Sequence, residues 1–322
     1  MKRNLIWILC LGLGIRTAFP WGEEGHQAIA EAAFSRLNTK AKTAVQAVLA
    51  KSSVTEIKDI KSAATWPDDI RISSHPGKLV NTTGAKSFNK RFSGNRVWHF
   101  VDFPLDGDYA KDTSFASDTD IVHILRNCID VLEGCPKDNW NNMKKEEALA
   151  WLIHLAGDIH QPLHTGVGFY DFHGDSAILI TDPAKAVGKF TDVGGNSLHF
   201  GSSGIFHSFW DVDMVKSISS KETAVITEID SIIKAGGFAN SGDYHNWPAT
   251  WATETIKGAK EAYAGITDAD NSVGQREAAH PQIIDIQFST SDYKTQFGDL
   301  VRTQLGKGAF NLADLLNNIK WP

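Results

Sequence analysis

The chain has 322 residues, of which 42% are hydrophobic, and it carries a formal net charge of −6. This composition is typical of a globular protein, and it argues against the basic surface by which proteins hold nucleic acid with lysine and arginine alone. A protein of this charge that acts on phosphates needs another source of positive charge, and bound metal cations are the obvious one.

The N-terminus has the pattern of a signal peptide. Lys2 and Arg3 precede a short apolar run from Leu5 to Ile15. That run is too short to cross a bilayer, which takes about 20 residues, and no later segment is apolar over such a length. We therefore predict a leader of residues 1–20, a single domain of residues 21–322, a secreted or periplasmic location and no membrane anchor.

The hydrophobic periodicity predicts an all-α fold, a mostly helical single domain. In chain order, helices are predicted over 25–37, 40–51, 54–64, 118–133, 143–161, 207–216, 221–235, 247–264, 291–305 and 308–319. Residues 72–96 and 165–206 are rich in glycine, serine and aspartate, which predicts long loops. The second loop is expected to hold at most a short β-hairpin, formed by 177–180 and 197–200.

Two cysteines, Cys128 and Cys135, lie outside the predicted leader and are seven residues apart. In an exported protein this pair is compatible with a disulfide bond. The alternative is two free thiols, one on a helix and one in the loop that follows it. Both interpretations stay open at this point.

Histidine and aspartate recur at spacings that suit metal ligands. His154 and Asp158 are four residues apart and share one face of a helix, and His207 and Asp211 repeat that spacing. One such pair is more often two hydrogen-bonded core residues than a metal site. The chain adds four further candidates of the same types, which are His26, Asp68, His99 and His164. Because imidazole and carboxylate are the ligands of open zinc sites, the whole set favours more than one metal ion.

The predicted leader junction adds a possible nitrogen ligand. A free α-amino group has a reference pKa near 8, so it loses its proton easily and can bind a metal. Cleavage before Trp21 would place such an amine five residues from His26.

Seven motifs carry a resemblance to a known family, and they are Trp21-Gly-x-x-Gly-His26, Trp66-x-Asp68, His99-Phe-x-Asp102, His154-x-x-Gly-Asp158, Gln161-Pro-Leu-His164, Gly194-Gly-Asn196 and His207-x-x-Trp-Asp211. In this order they resemble the class I nucleases, the zinc-dependent single-strand nucleases of fungi and plants (nuclease S-one and P-one type). Bacterial and protozoan 3′-nucleotidases are relatives of that family. The motifs span the chain from Trp21 to Asp211.

The resemblance implies a nearly all-helical fold and three Zn²⁺ ions. The first ion would be held by Asp68, His99, His154 and Asp158, the second by His164, His207 and Asp211, and the third by the Trp21 amine and carbonyl, His26 and Asp158. The implied reaction is hydrolysis of single-stranded DNA or RNA to 5′-phosphate products by a metal-activated hydroxide, with 3′-nucleotidase activity.

Three further residues match positions with roles in the family. Asp102 would orient or deprotonate the attacking water, although a carboxylate there can equally hold a metal ligand. Arg71 either contacts phosphate or pairs with Asp69. Asn196 either contacts the substrate or serves as a turn residue after two glycines.

Two other functions remain as alternatives. A zinc phospholipase C would share the fold and the metals, but its last ligand is typically glutamate, whereas this chain has Asp211. A non-enzymatic zinc-binding protein would need neither Asp102 nor Arg71. The expectation is therefore a hydrolase acting on ester bonds, monomeric, with single-stranded nucleic acid and 3′-nucleotides as substrates.

The spacing of the motifs also differs from the family in two places. Asp68 and His99 are 31 residues apart, and His164 and His207 are 43 apart. Both gaps exceed those of the fungal enzymes. The insertions, near 72–96 and 168–192, are expected around the cleft. His160 is expected to be structural, and core packing is favoured for Phe103, Phe169 and Tyr170.

Overall fold

The computed structural model describes residues 21–73 and 76–322. The predicted leader lies outside these residues, and the division into a leader and one domain stays a prediction. Helices dominate the described part, and the prediction of a mostly α-helical fold is confirmed. The α-helices are α1 (Gly22–Ser35), α2 (Thr39–Ala50), α3 (Ile60–Asp69), α4 (Thr83–Arg91), α5 (Ile121–Glu133), α6 (Lys145–Asp158), α7 (Pro183–Ala186), α8 (Phe206–Ser208), α9 (Val215–Ile218), α10 (Glu222–Ala235), α11 (Trp247–Ala264) and α12 (Thr290–Asn318).

Helix α6 lies at the centre of the molecule. Every residue from Glu147 to Asp158 is buried, and the helix packs against α1, α3, α5 and α12. A helix that is apolar on nearly all sides must be surrounded by other elements, which is the position α6 takes. The helix ends at Asp158, and a 3₁₀ turn over Pro162–His164 follows. The core therefore places His154 and Asp158 on a rigid element that solvent does not reach.

Local capping explains the start of one helix that was predicted elsewhere, α3, and of one that was not predicted, α4. Helix α3 begins at Ile60 and not at residue 54, since the Asp59 side chain accepts from the Ser62 backbone N–H at 2.8 Å and caps the first turn. Helix α4 lies inside the predicted loop 72–96. It starts after Thr82, whose hydroxyl oxygen accepts from the backbone N–H of Ala85.

The two predicted C-terminal helices form one continuous helix, α12. The break was predicted at residues 306–307, and Gly306 and Gly308 lie in it and next to it. Both glycines are buried, and a Cβ on Gly306 would lie 2.5 Å from the Ile232 side chain of α10. These residues are small because neighbouring helices approach closely, so they do not end the helix.

The β structure is larger than the short hairpin expected. Seven strands form one sheet in the order β5-β3-β4-β8-β9-β6-β7, with ranges β3 (Phe169–His173), β4 (Ser176–Ile180), β5 (Phe190–Thr191), β6 (Leu198–Phe200), β7 (Gly204–Ile205), β8 (Ser272–Arg276) and β9 (Ile284–Asp285). The two predicted hairpin segments are strands, β4 and β6, but they do not pair with each other. They are joined through β8 and β9, which come from a distant part of the chain.

A parallel pair of strands, β1 (Phe103–Pro104) and β2 (Gly166–Val167), joins the segment that follows His99 to the segment that follows His164. The backbone N–H of Val101 also donates to the carbonyl of His164 at 2.8 Å. The stretch after His99 is therefore fastened to the stretch around His164.

Cys128 and Cys135 are not bonded to each other in the structure. Cys128 is buried on α5, whereas Cys135 is exposed beyond Gly134, which ends the helix with φ 81°. The structure thus shows the free-thiol alternative. No helix of the described segments has the length and hydropathy of a bilayer span.

Candidate metal centre

Five histidine and aspartate side chains meet at the C-terminal end of α6, and all five are buried. Asp158 Oδ2 lies 3.1 Å from His154 Nε2 and 3.0 Å from His99 Nδ1. Asp68, near the end of α3, places Oδ1 3.9 Å from His154 Nε2. His26, in the second turn of α1, has Nε2 3.2 Å from Asp158 Oδ1. We call this set the first ligand group.

His164, His207 and Asp211 form a second ligand group beside the first. His207 Nε2 lies 3.3 Å from Asp211 Oδ2, and the rings of His164 and His207 stack with centroids 5.0 Å apart. Asp211 lies in a π-helix, Phe209–Met214, where an α-helix was predicted. Such turns are rare and occur mostly at functional sites. His164 Nδ1 is 4.0 Å from Asp158 Oδ1, so the two groups adjoin.

Backbone carbonyls select the tautomer of three of these histidines. The Nδ1 atom of His154 lies 2.8 Å from the Ala64 carbonyl, that of His164 lies 2.8 Å from the His99 carbonyl, and that of His207 lies 2.6 Å from the Gly194 carbonyl. A carbonyl only accepts, so each Nδ1 carries the hydrogen and each Nε2 keeps its lone pair in the neutral ring. Metal-binding histidines are held in this way.

Several buried acceptor atoms in the two groups have no hydrogen-bond donor within the described residues. They include Asp68 Oδ1, His164 Nε2 and Asp211 Oδ2. Leaving such atoms without a partner costs free energy, whereas a cation in each group would be bound by the atoms of that group. Three sets of side chains in the described part bring ligand atoms within 4.8 Å of one another: His26, His154 and Asp158; Asp68, His99 and His154; and His164, His207 and Asp211. The residues present therefore fit metal ions.

The protonation states of His164, His207 and Asp158 suit metal binding. Burial lowers the pKa of His164 to about 3 and that of His207 to about 4. Burial opposes ionisation of Asp158, but the neighbouring His154 and His164 outweigh it and hold its pKa well below the usual range. Neutral imidazoles and an ionised carboxylate are the forms that coordinate metals. Two neighbours differ: burial lowers the pKa of His154 but the charges of Asp158 and Asp68 outweigh it and raise that pKa to about 9, and burial raises the pKa of Asp211 well above its usual range.

Trp21 lies against the same cluster. Its backbone N–H donates to the Asp211 carboxyl group, and its indole Nε1 donates to the Gly157 carbonyl at 2.9 Å. The nitrogen of residue 21 is thus next to the second ligand group. The structure brings together all nine residues predicted as metal ligands, which are Trp21, His26, Asp68, His99, His154, Asp158, His164, His207 and Asp211.

Arg71 lies near both ligand groups. Its Nη1 is 3.9 Å from Asp68 Oδ1, and its charge, after burial, is a further cause of the lowered pKa of His207. Asp69, the alternative partner, has Oδ2 3.1 Å from the Thr65 hydroxyl and Oδ1 3.5 Å from Lys78 Nζ.

Asp102 and Asn196 lie on the segments next to these groups. Asp102 is half-buried, and desolvation together with the charge of Asp192 raises its pKa to about 6. The Asn196 amide Nδ2 donates to the Val193 carbonyl at 2.8 Å, which closes the turn 193–196. Asn196 therefore has the turn role that was its alternative interpretation, and its contact with substrate stays a prediction.

Gln161 and Asp192 were given no role by sequence reasoning. Gln161 Nε2 donates to Asp211 Oδ1 at 2.6 Å, and Asp192 is a fully buried carboxyl group behind the Gly194-Gly195 turn. Gln161 lies within a family motif, so its position was a signal. Asp192 had none, because an aspartate before two glycines predicts an exposed turn.

His160 and three aromatic residues, which were expected to have structural roles, lie in the core. His160 Nδ1 lies 2.7 Å from the Ala156 carbonyl, and Asn311 donates to its Nε2 at 2.8 Å. The three aromatic residues for which core packing was favoured are buried, and they are Phe103, Phe169 and Tyr170.

The fold and the site define a mostly helical protein with a buried cluster of histidines and aspartates able to hold metal ions. The chain belongs to the S1/P1 nuclease family, whose family model matches residues 21–320. It is 24% identical to Endonuclease 3 of Arabidopsis thaliana, over 99% of this chain and 95% of that protein. It is 25% identical to Nuclease P1 of Penicillium citrinum, over 93% of this chain and 97% of that protein. These findings support a hydrolase that acts on nucleic acids.

Proposed function

We propose that this protein is a zinc-dependent phosphodiesterase that hydrolyses single-stranded DNA and RNA to 5′-phosphate products, and that it also has 3′-nucleotidase activity. The observation that carries the proposal is the pair of adjoining, buried ligand groups. Their acceptor atoms Asp68 Oδ1, His164 Nε2 and Asp211 Oδ2 have no hydrogen-bond donor within the described residues. Membership of the S1/P1 nuclease family supplies the substrate class.

We propose three Zn²⁺ ions, because mixed imidazole and carboxylate donors suit zinc. His154 offers one nitrogen, since its Nδ1 is bonded to Ala64, and we assign that nitrogen to the ion shared with Asp68 and His99. Asp158 offers two oxygens, one near His99 and one near His26, so it can serve two ions. The ligand sets are Asp68, His99, His154 and Asp158; His164, His207 and Asp211; and the Trp21 amine and carbonyl, His26 and Asp158.

Bound zinc would supply an acidified water molecule and positive charge against the phosphate oxygens. Asp102 is our candidate for orienting that water and taking its proton. A carboxyl group with a pKa of about 6 is mostly ionised at neutral pH and is still basic enough to accept a proton.

Arg71 is our candidate for phosphate contact. Its guanidinium lies near both ligand groups, while Asp69 is bonded to Thr65 and Lys78. A guanidinium presents two parallel donors, which match two phosphate oxygens. We assign Asn196, in the turn next to His207, to the substrate as well.

The proposal includes export as a monomer through the leader 1–20, with Trp21 as the mature N-terminus. N-terminal sequencing of the active protein tests the junction. A chain that starts at Phe19 would contradict the third ligand set, since the Trp21 amine would then be an amide.

The main experiment is hydrolysis of single-stranded DNA and of a 3′-nucleotide by the mature protein, with zinc content measured by elemental analysis. We expect about three zinc ions per chain, loss of activity with a chelator and recovery with added zinc. Phosphatidylcholine vesicles serve as the negative substrate. Zinc-loaded protein that leaves nucleic acid intact would refute the proposal, and cleavage of the vesicles instead would favour the phospholipase alternative.

A matched pair of variants locates the metal. His207→Ala removes a proposed ligand and should lower both zinc content and activity. His123→Ala removes a histidine that is bonded to Asp120 outside both ligand groups, so it should retain both. Equal zinc content in the two variants would contradict the assignment of the second group.

A further inference from the structure

We infer that Asp192 is a positioning residue whose buried carboxyl group holds the turn 193–196 against His207 and thereby fixes the second ligand group. The inference rests on the proposed function, because it concerns residues proposed to bind zinc. It assigns a role to a side chain that touches neither ligand atoms nor substrate in the described structure.

Asp192 is fully buried and is surrounded by donors. Oδ2 accepts from the Tyr170 hydroxyl at 2.7 Å, and the Tyr263 hydroxyl lies 2.9 Å from each oxygen. Oδ1 also accepts from the backbone N–H of Gly168 at 3.3 Å and of Gly195 at 3.0 Å. Because a protonated carboxyl group would bring a further hydrogen among these donors, the arrangement fits the ionised form.

This ionised group is costly unless all its bonds are made. Burial raises the pKa of Asp192 to about 6, although the hydrogen bonds from Tyr170, Gly195 and Tyr263 oppose that rise. A buried carboxylate held only by neutral donors is a poor source of stability compared with an apolar residue. A positioning role explains why a carboxylate is buried here: its hydrogen bonds hold the neighbouring turn 193–196 in place.

What the carboxylate holds is the glycine turn beside His207. The backbone N–H of Gly195 is bonded to Asp192, and the carbonyl of Gly194 accepts from His207 Nδ1 at 2.6 Å. The backbone N–H of His207 in turn donates to the Gly195 carbonyl at 3.3 Å. His207 is thus bonded twice to the glycine pair that Asp192 anchors, and the first of these bonds sets its tautomer.

The turn is also tightly enclosed on its other side. Gly194 has φ 63°, and a Cβ there would lie 2.3 Å from the Leu163 carbonyl, directly before His164. Val193 has φ 56°, a left-handed conformation that is strained for a β-branched residue. Such a conformation persists only where the surroundings impose it. The Asp192 bonds therefore hold a strained turn between His164 and His207.

The test compares Asp192→Asn and Tyr263→Phe with Tyr109→Phe. Asparagine keeps the shape of Asp192 but replaces one acceptor oxygen with an NH₂ group that faces donors. Tyr109→Phe is the matched control, because the Tyr109 hydroxyl donates to another buried carboxyl group, Asp120, at 2.8 Å. Zinc affinity is measured by competition with a chromophoric chelator at a temperature well below every thermal midpoint.

We expect Asp192→Asn to weaken the zinc of the second ligand group, identified as the ion that His207→Ala loses, by about 10- to 100-fold, the size seen for groups that hold a metal ligand in place. The affinity of the other ions should stay unchanged, and kcat/KM on single-stranded DNA should fall by a similar factor. Tyr263→Phe should also weaken zinc binding at this site, but by a smaller factor. Tyr109→Phe should leave zinc affinity unchanged even if its thermal midpoint falls.

The outcomes separate this inference from the proposed function. If wild-type protein binds no zinc or cleaves no nucleic acid, the proposed function fails first. If wild-type protein does both, and Asp192→Asn and Tyr263→Phe bind zinc as tightly as Tyr109→Phe, Asp192 has only a structural role and the inference is overturned. Should Asp192→Asn show no cooperative unfolding, Tyr263→Phe decides alone, since it leaves the carboxylate in place.

Discussion

Replacing Gln161 by leucine should weaken both the fold and the metal centre. Gln161 is fully buried, its Nε2 donates to Asp211 Oδ1 at 2.6 Å, and its Oε1 accepts from the Leu163 backbone N–H at 2.5 Å. Leucine fills similar space and makes neither bond. An unpaired buried N–H costs about 1–3 kcal/mol and the lost amide–carboxyl bond about 1–2 kcal/mol more, so the free energy of unfolding should fall by about 2–5 kcal/mol.

The same change should reduce zinc affinity. Burial already raises the pKa of Asp211 well above its usual range, and the bond from Gln161 opposes that rise. Without the bond a proton competes better with the metal for Asp211, and the expected loss of affinity is about 10- to 100-fold at neutral pH.

Gln304→Leu is the matched control. Gln304 is also a buried glutamine, 2% exposed, but its Oε1 has no donor within the described residues. Losing that amide should be neutral or slightly stabilising. Urea unfolding of metal-free protein, followed by circular dichroism, measures stability, and chelator competition measures affinity. The role given to Gln161 is wrong if the free energies of unfolding of Gln161→Leu and Gln304→Leu agree within about 1 kcal/mol and the two variants bind zinc equally well.

Three further predictions concern catalysis and the cysteines. If Asp102 is the proposed proton acceptor, it must be ionised, and kcat/KM should fall as the pH drops through its pKa of about 6. Asp102→Asn should remove that acidic limb of the pH profile and lower the rate about 10²- to 10⁴-fold. A limb that survives the substitution would exclude Asp102 as its origin. Arg71→Ala should lower kcat/KM on single-stranded DNA by about 10- to 100-fold. Arg71→Lys should recover only part of the lost kcat/KM, because lysine lacks the two-donor fork of the guanidinium. Equal kcat/KM values for the wild-type protein and Arg71→Ala would argue against phosphate contact. A thiol reagent should label exposed Cys135 in the native protein and buried Cys128 only after unfolding; two cysteines that react only after reduction would reveal a disulfide.

Local pattern was enough to predict the central helix and the dominance of helices. The stretch that became α6 has apolar residues on nearly every side and stops before Pro162, and both signals lie within one segment. The errors arose where a distant contact decided the outcome. The helix break predicted at residues 306–307 is absent, because α12 continues through Gly306, where it packs closely against Ile232 of α10. Strands β4 and β6 were visible as short apolar segments, but their partners β8 and β9 come from far along the chain.

For the site, the chain itself determined which residues are candidates, because histidine and aspartate at four-residue spacing share a helix face whatever the rest of the fold does. The resemblance to the nuclease family then supplied the proposed division into three ions. Only the tertiary structure decided the environment of those residues. The Nδ1 atoms of His154, His164 and His207 meet carbonyls from other segments. Gln161 bonds Asp211 across 50 residues, and Asp192 bonds Tyr263 across 71. Such bonds depend on which surfaces the core brings together, and one-dimensional spacing carries no information about that.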